Sequence, residues 1–395
     1  MEAILAKSKR KIDRVPDTFF RYLYHRINLK NKLISITGAR GVGKTTLLLQ
    51  LGKNHRDDNV LYVALDDLFF SENSLYSLAE NFSQTGGELL LLDEVHKYPD
   101  WSRELKLIYD DFEELKVIFT SSSILEIYKG ESDLSRRSLN YKLKELSFRE
   151  YLLFREGIDV PVLKLEEITN NHTTIANDIS KRIKPIKYYK EYIQTGAYPY
   201  FEADKDEYYQ RLMNTINLIM DIDIQSVEGI EYANVSKFKR LLYVLAGNVP
   251  FTPNISKLAE KIHINRNLLV YAIQLLERAE LIHTLVKKSK SISTLSKPDK
   301  IWLHNTNLNF LLSENRPDTG NIRETFFIQH LSVEHELSLP EKGDFLVDNH
   351  TVFEVGGQNK SKEQIAGLQN AFVVKDNIET GAVNNIPLWL FGLLY

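Results

Sequence analysis

The chain has 395 residues, of which 43% are apolar and 26% charged, and its formal net charge is −3. This length predicts two or three domains, and the composition is ordinary for a globular protein. The charge balance excludes nucleic-acid binding through the field of the whole protein, so only a local basic patch could serve. The sequence contains no cysteine, which excludes thiol catalysis, disulfides and cysteine-ligated zinc.

The chain also lacks the signals of membrane insertion and export. No stretch approaches about 18 consecutive apolar residues. The N-terminal segment MEAILAKSKRKIDR has no signal-peptide apolar core. We therefore expect a soluble, cytoplasmic protein without a membrane partner.

Residues 1–146 are predicted to form an α/β domain, a parallel sheet with helices on both faces. Apolar strands alternate with helical stretches throughout this part of the chain. That rhythm is typical of parallel sheets covered on both sides. The predicted strands are Leu33–Thr37, Val60–Leu65, Leu89–Asp93, Val117–Thr120 and Ser138–Leu143.

The segment ITGARGVGKTTLLLQ follows the first predicted strand and opens a helix. It contains Gly38-x-x-x-x-Gly43-Lys44-Thr45, the complete Walker A pattern of a phosphate-binding loop. Glycines let backbone N–H groups turn inward around the β-phosphate at the helix N-terminus. Lys44 is expected to reach the β- and γ-phosphates, and the Thr45 hydroxyl to ligate Mg²⁺. The predicted ATP-binding residues are Gly38, Gly41, Val42, Gly43, Lys44, Thr45 and Thr46.

The segment ELLLLDEVHKYPDW is an apolar strand that ends in Asp93-Glu94, a Walker B pattern. Asp93 is predicted to hold the magnesium through water. Glu94 is a candidate catalytic residue, since an ionised carboxylate beside the γ-phosphate can polarise the attacking water.

The next strand, in KVIFTSSS, ends in four hydroxyl residues. In additional-strand ATPases a polar residue here senses the γ-phosphate, and we favour Ser122 over Thr120 and Ser121. Capping of the following helix is the structural alternative for these serines. Hydrolysis also needs an arginine, in cis or from a neighbouring subunit. The candidates are Arg136 and Arg137, for which a solvated position at the sheet edge is the alternative.

The middle of the chain is helical from residue 147 to 232. Between residues 233 and 315, NISKLAEKIHINRNLLVYAIQLLERAELIHTL predicts helix, turn and helix, with Asn265 as the second N-cap. Two extended stretches follow, which completes a winged-helix outline. The second helix could enter a DNA groove through Arg266, Asn267 and Gln274. It is apolar on most faces, however, and a lid or subunit contact is the alternative.

Residues 316–395 are predicted as a helix (NIRETFFIQHLSVEHEL), a hairpin, a second helix and a final apolar strand. If the hairpin turn is centred on Asn349, Asp344 and Glu354 lie opposite each other on one face. The two carboxylates could share a divalent cation. Gly356, however, stands where Glu-x-Lys nucleases carry their lysine, and only Lys360 or Lys362 could replace it. The possible interpretations are an active nuclease, a degenerate metal or nucleic-acid site, and a structural hairpin.

The strings DEVHKYPDW, FTSSS, LSRRSLNYKLKELSFREYL and TGAYPYF together resemble a known family. It comprises the large prokaryotic AAA-type ATPases of the AAA+ superfamily with a C-terminal restriction-endonuclease-like domain of unknown function. The resemblance covers nearly the whole chain. It implies a helical lid, a winged helix and an endonuclease-like C-terminal α/β fold.

The resemblance also assigns roles to single residues. In that family a Leu-small-Gly-Arg element precedes the LSFREYL string, and residues 134–137 match it here. Arg137 would therefore take the role of the family arginine, whereas Arg136 replaces a glycine. Glu324 would supply a helix carboxylate, so the candidate second metal site is Glu324, Asp344 and Glu354.

We therefore expect a multidomain α/β protein, an AAA-type ATPase whose cofactors are ATP and Mg²⁺. Hydrolysis would drive a conformational change of its C-terminal domains, with nucleic acid as a candidate partner and a homo-oligomer as a candidate state. The alternative is a nucleotide-gated switch with little turnover. The Asp-Glu pair and the chain length disfavour a small-molecule kinase. A GTPase is disfavoured because no Asn-Lys-x-Asp string occurs.

Overall fold

The computed structural model describes residues 2–55, 59–121, 134, 136–200, 204–225, 227, 230–247, 250–287, 297–313 and 317–395. The chain divides into two compact units. The first unit is Met1–Glu145 with Ile222–Glu228, and the second is Leu146–Asp221 with Gly229–Tyr395. The finer division of the second unit at residues 147–232, 233–315 and 316–395 stays a prediction.

The first unit is built on a five-stranded parallel sheet. Its strands are β1 Leu33–Thr37, β2 Val60–Ala64, β3 Leu89–Asp93, β4 Lys116–Thr120 and β5 Leu139–Lys142. All five were predicted from the sequence, with ends that differ by at most one residue. Their order in the sheet is β2-β3-β4-β1-β5. Because β4 lies between β1 and β3, its carboxyl end lies between the phosphate loop and the Walker B carboxylates.

Helices of the first unit bury the apolar faces of this sheet. On one face, the core joins Leu90 and Leu92 of β3 to Trp101, Leu105 and Ile108, all at most 6% exposed. The edge strand β2 is covered by the first helix, where the Ser8 hydroxyl accepts the Tyr62 N–H at 2.8 Å. The helices are α1 Glu2–Arg14, α2 Lys44–Lys53, α3 Leu75–Gln84 and α4 Trp101–Asp111, with 3-10 turns at Leu68–Ser71 and Val95–Lys97.

The second unit begins with a group of helices. The first of them starts with a capping box, in which Ser147 and Glu150 exchange side-chain-to-backbone hydrogen bonds, and it ends at Gly157, whose φ is 65°. The last continues into a π-helix, Ile219–Ile224. These helices are α5 Phe148–Glu156, α6 Leu165–Ser180, α7 Pro185–Thr195 and α8 Lys205–Leu218.

A helix–turn–helix and a two-stranded antiparallel sheet come next, as the sequence predicts. The Asn265 side chain caps the second helix by accepting the Leu268 N–H at 2.8 Å, which confirms the predicted N-cap. Phe251 adds an isolated bridge to Ile301 at the sheet. The assignment of this region as a winged helix stays an interpretation. The elements are α9 Tyr232–Ala246, α10 Ile255–Ile262, α11 Arg266–Arg278, β6 Ile282–Leu285 and β7 Lys300–Leu303.

The C-terminal part forms two helices and a second five-stranded sheet. The elements are α12 Thr306–Leu312, α13 Thr319–Leu331, β8 Leu337–Ser338, β9 Phe345–Val347, β10 Thr351–Gly356, β11 Ala371–Lys375 and β12 Asn385–Pro387. The strand order is β12-β11-β10-β9-β8. Strands β8, β9 and β10 are antiparallel, and β11 and β12 continue the sheet in parallel. Thr351 pairs with Val347 and Phe353 with Phe345, so the hairpin is centred on Asn349 as predicted.

Three expectations for this part were wrong. The first helix ends at Leu331 rather than at Leu337. The predicted second helix is a single 3-10 turn, Glu363–Ile365, soon followed by Gly367 at a φ of 80°. The final apolar run forms a 3-10 helix, Leu388–Leu393, instead of a strand. A short apolar run fits a buried helix and a buried strand equally well, so its periodicity does not decide between them.

Within the described parts of the chain, no helix combines the length and the apolar character needed to cross a membrane.

Candidate functional site

The phosphate loop runs from the end of β1 into α2. Gly43 is the N-cap of α2 in the left-handed conformation, with a φ of 98°, which favours glycine. A Cβ atom at Gly38, whose φ is 148°, would lie 2.1 Å from the carbonyl oxygen of Leu143. The Arg21 guanidinium supports the loop from outside, donating to the Val42 carbonyl at 2.5 Å. The loop backbone therefore requires both glycines where the Walker A pattern has them.

Lys44 lies folded against its own loop. Its Nζ donates to the carbonyl oxygens of Gly38 and Ala39, both at 2.8 Å, and the residue is 5% exposed. A buried ammonium needs such acceptors. A phosphate would have to replace these carbonyls as the acceptor of the Lys44 N–H groups.

The carboxylate of Asp93 is held by hydroxyl groups from three elements. Asp93 Oδ2 accepts from Thr45 Oγ1 at 2.8 Å and from the Tyr62 hydroxyl at 2.9 Å. Asp93 Oδ1 accepts from Thr120 Oγ1. Burial, and then the charge of Asp93, raise the pKa of Tyr62, so the phenol stays a donor. Tyr62 was not predicted, because only the fold brings β2 beside β3.

Glu94 follows Asp93 in a left-handed backbone conformation, with φ 55° and ψ 44°, which is uncommon for a residue with a side chain. Its N–H donates to Thr120 Oγ1 at 3.2 Å. Burial raises the pKa of Glu94, while the charges of Lys44 and Arg40 act in the opposite direction. The carboxylate predicted as the catalytic base therefore lies beside the two cations of the phosphate loop.

The sensor position was assigned to Ser122, which lies outside the described residues. The two hydroxyl residues before it are both engaged in the site. Thr120 bonds Asp93 and the Glu94 backbone, and Ser121 Oγ lies 2.9 Å from His96 Nδ1. His96 Nε2 in turn lies 3.5 Å from Glu94 Oε2. Burial, with nearby cations, lowers the pKa of His96 to about 3, so a neutral imidazole lies between Ser121 of the β4 end and the Glu94 carboxylate.

An ion pair that the sequence did not reveal lies at the same site. Arg40, between the first two glycines of the loop, donates from Nη2 to Asp223 Oδ1 at 2.9 Å and from Nε to Asp223 Oδ2 at 3.3 Å. Asp223 is 3% exposed and belongs to the segment that returns to the first unit. The two residues are 183 positions apart, and no local pattern connects them.

Arg137, the arginine predicted to act in hydrolysis, lies against helix α4 in this structure. Its Nε and Nη2 atoms donate to the two Asp110 carboxylate oxygens, each at 3.0 Å. Its guanidinium also lies over the Tyr109 ring, 5.8 Å from the centroid. Arg136 is exposed. The role of Arg137 in hydrolysis stays a prediction.

The C-terminal carboxylates lie in one charged cluster with a lysine. Glu354 is 0% exposed, and its Oε1 forms an ion pair with the Lys360 ammonium. The stem of Lys360 covers Gly356, where a Cβ atom would lie 2.6 Å from the lysine Cγ and Cδ. Lys362 is exposed. Lys360 therefore lies against Gly356, the position at which the Glu-x-Lys pattern has its lysine, and places its ammonium on Glu354.

Glu324 and Asp344 lie near this ion pair. The Trp302 indole donates to Glu324 Oε2 at 3.0 Å, and Asp344 Oδ2 accepts the Val355 N–H at 2.8 Å. Burial, and then the charge of Asp344, raise the pKa of Glu324 to about 7. Among the described residues, no three His, Cys, Asp or Glu side chains are arranged to hold a metal ion. The second metal site stays a prediction.

Known proteins resemble both halves of the chain. Residues 30–152 match the AAA domain family, and residues 186–318 match a domain of unknown function, DUF8612. The chain is 30% identical over 304 residues to the uncharacterized protein MJ1637 of Methanocaldococcus jannaschii, covering 70% of this chain and 63% of that protein. That alignment spans less than two thirds of the relative. MJ1544 of the same organism is 25% identical over 359 residues, or 85% of this chain and 75% of that protein.

Two solved structures are distantly similar. The Walker-type ATPase PABY2304 of Pyrococcus abyssi has a TM-score of 0.42 at 12% identity, covering 78% of this chain and 94% of that one. AMPPCP-bound DnaA of Aquifex aeolicus has a TM-score of 0.28 at 15% identity, covering 65% and 85%. The match to the AAA domain family is the finding that bears on function. That match lies almost entirely within the first unit, whose parallel five-stranded sheet with flanking helices fits a P-loop α/β fold.

Gly356→Ala is expected to destabilise the C-terminal sheet, because the new Cβ would collide with the Lys360 stem. Moving that stem also separates the ammonium from the buried Glu354. We expect a loss of about 1–3 kcal/mol, measured as a lower Tm. Gly247→Ala is the matched control, because its nearest atom would lie at 3.7 Å and its φ is −73°. Equal melting of the Gly356→Ala variant and the wild type would contradict the close contact.

Glu324→Gln is expected to remove the loss of folding stability that ionisation of Glu324 causes as the pH rises. The pKa of Glu324 is raised from 4.5 to about 7, so its contribution to folding is fully present below pH 4.5 and lost as the pH rises through 7. The glutamine keeps an acceptor for Trp302 and carries no charge. We expect the variant to gain about 1–3 kcal/mol over the wild type at pH 8 and little at pH 5, by thermal melting. The exposed Glu341→Gln is the control, and an equal shift at both pH values would disprove the assignment.

Proposed function

We propose that this chain, whose residues 30–152 match the AAA domain family, binds Mg-ATP at its phosphate loop and hydrolyses it. The observation that carries the proposal is the contact between Thr45 Oγ1 and Asp93 Oδ2 at 2.8 Å. It joins the Walker A hydroxyl to the Walker B carboxylate, the oxygens that Mg²⁺ needs on the protein side. The backbone of the loop and the burial of Lys44 support the same assignment.

Thr45 and Asp93 fit a magnesium ion, since both offer oxygen atoms at one point of the sheet edge. Thr45 would bind the ion directly and Asp93 through water. Magnesium bound with ATP supplies charge neutralisation at the phosphate oxygens. The hydroxyls of Tyr62 and Thr120 hold the Asp93 carboxylate in position for this task.

Glu94 is proposed to orient the attacking water and accept its proton. Lys44 would leave the carbonyls of Gly38 and Ala39 to bind the β- and γ-phosphates. Ser122, or the neighbouring Thr120 and Ser121, would report the γ-phosphate to this carboxylate. Arg137 is proposed from the family resemblance as an arginine that acts on the same or a neighbouring subunit.

ATP hydrolysis is proposed to drive a conformational change of the second unit. Nucleic acid is the candidate partner, supported by the exposed Arg266 and Asn267 in the first turn of α11 and the exposed Gln274. The second candidate function is a slow, nucleotide-gated switch. It is favoured by Lys44 and Arg40, which both form hydrogen bonds within the protein. Turnover separates the two functions.

Glu94→Gln is expected to retain Mg-ATP binding and to lower the rate of phosphate release by about 10²–10⁴-fold, as for loss of a general base. Binding is measured with a fluorescent ATP analogue and turnover with a phosphate sensor. Lys44→Ala is the control that should lose binding itself. If the wild type binds ATP tightly but releases no phosphate, the ATPase hypothesis is wrong and the nucleotide-gated switch is favoured.

We infer that the C-terminal cluster stabilises its sheet and does not cleave nucleic acid, because Glu354 is fully buried and paired with Lys360. Plasmid, single-stranded DNA and RNA are therefore expected to survive incubation with the protein and Mg²⁺ or Mn²⁺. A restriction endonuclease serves as the positive control for the assay. Cleavage that disappears in Glu354→Ala would establish a nuclease and the metal site at Glu324, Asp344 and Glu354.

A further inference from the structure

The phosphate site contains a cation that the proposed mechanism has not used. Arg40 belongs to the phosphate loop, two residues after Gly38 and four before Lys44. Its side chain is 18% exposed, so the guanidinium lies inside the site and not on its outer surface. The loop is fixed by its glycines, and the Arg40 backbone is fixed with it. The Cα atom of Arg40 is therefore held at a fixed distance from any phosphate bound in the loop.

The guanidinium is oriented by one carboxylate. Asp223 accepts from both Nε and Nη2, at 3.3 and 2.9 Å, and this side-on contact fixes the plane of the group. Among the described residues, both hydrogen bonds of the Arg40 side chain go to Asp223. The Nη1 edge is therefore available for another oxygen acceptor.

The charges around Arg40 indicate which oxygen acceptor the Nη1 edge would bind. Arg40 and Lys44 are the two cations that act on the Glu94 carboxylate, and Asp223 is within electrostatic range of Lys44 and Glu94. Glu94 is the residue proposed to face the attacking water. Arg40 interacts electrostatically with Glu94 and belongs to the same loop as Lys44, so its positive charge lies on the side of the site where negative charge develops on the γ-phosphate during hydrolysis.

We propose that Arg40 is the arginine that contacts the γ-phosphate in cis, and that Asp223 is the positioning residue that orients its guanidinium. This inference rests on the proposed binding and hydrolysis of Mg-ATP. It assigns the transition-state arginine to the phosphate loop itself, so that hydrolysis needs no arginine from a second copy of the chain. Lysine would not replace it, because a single ammonium cannot bond Asp223 side-on and a phosphate oxygen in one plane.

The test compares Arg40→Ala, Arg40→Lys and Asp223→Asn with the wild type, with the exposed Arg103→Ala as the matched control. Single-turnover phosphate release gives the rate. Affinities for ADP and for a non-hydrolysable ATP analogue give the ratio that reports the γ-phosphate. We expect Arg40→Ala to lower the rate by about 10²–10⁴-fold and to weaken the analogue about tenfold or more while ADP binding is retained.

The remaining variants test the positioning role. Arg40→Lys should recover less than a tenth of the lost rate, and Asp223→Asn should slow release about tenfold. The double variant Arg40→Ala/Asp223→Asn should be no slower than Arg40→Ala, because both changes act through one group. Arg103→Ala should match the wild type. Retained ADP affinity and an unchanged Tm identify variants that have kept their fold.

Any of four results would overturn the inference. Arg40→Ala could hydrolyse ATP at the wild-type rate, it could weaken ADP and the analogue equally, or the double variant could show additive losses. Dependence of the wild-type rate on protein concentration, with loss of activity only in Arg137→Ala, would place the arginine elsewhere. A wild type that binds ATP without turnover would refute the proposed hydrolysis alone, since the ratio of analogue to ADP affinity still tests Arg40.

Discussion

The nucleotide site depends on the hydrogen bonds that converge on the carboxylate of Asp93. This carboxylate is 3% exposed, and a buried charge is tolerated only when its oxygens have partners. The donors come from Thr45 on α2, Tyr62 on β2 and Thr120 on β4. One acidic group thereby joins the helix of the phosphate loop to two strands of the sheet. Thr120 also bonds the Glu94 backbone, so the left-handed turn after β3 is held by the same set of contacts.

The glycine at the end of β10 illustrates a different constraint, that of space. A nuclease-type pattern would place a lysine two residues after Glu354, directly on the strand. Here the strand carries Gly356, and the lysine comes from Lys360, whose stem crosses the position that a Cβ atom would occupy. The absence of a side chain at one position is what permits the cation at the other. The ammonium that pairs with Glu354 therefore comes from the loop after β10 and not from the strand itself.

The sequence predicted the parts of the fold that rest on local patterns. The five parallel strands, the phosphate loop and Asp93-Glu94 follow from apolar runs and from motif spacing. The hairpin register follows from the alternation around Asn349. Tyr62, His96 and the Arg40–Asp223 pair could not be predicted, because each depends on elements that meet only in the folded sheet or on residues distant in sequence. The final 3-10 helix was mistaken for a strand because an apolar run of that length carries no decisive period.

The π-helix at Ile219–Ile224 limits where this chain can accept insertions or deletions. It carries Asp221, whose carboxylate bonds Lys239 at 2.7 Å within the second unit, and Asp223, which bonds Arg40 within the first. A π-turn is an α-helical turn with one extra residue. Deleting a single residue would restore the α-helix and rotate the residues after the deletion by roughly 100°, so one of the two aspartates would face away from its partner. Insertions and deletions should therefore be tolerated in the surrounding helices more readily than in these six residues.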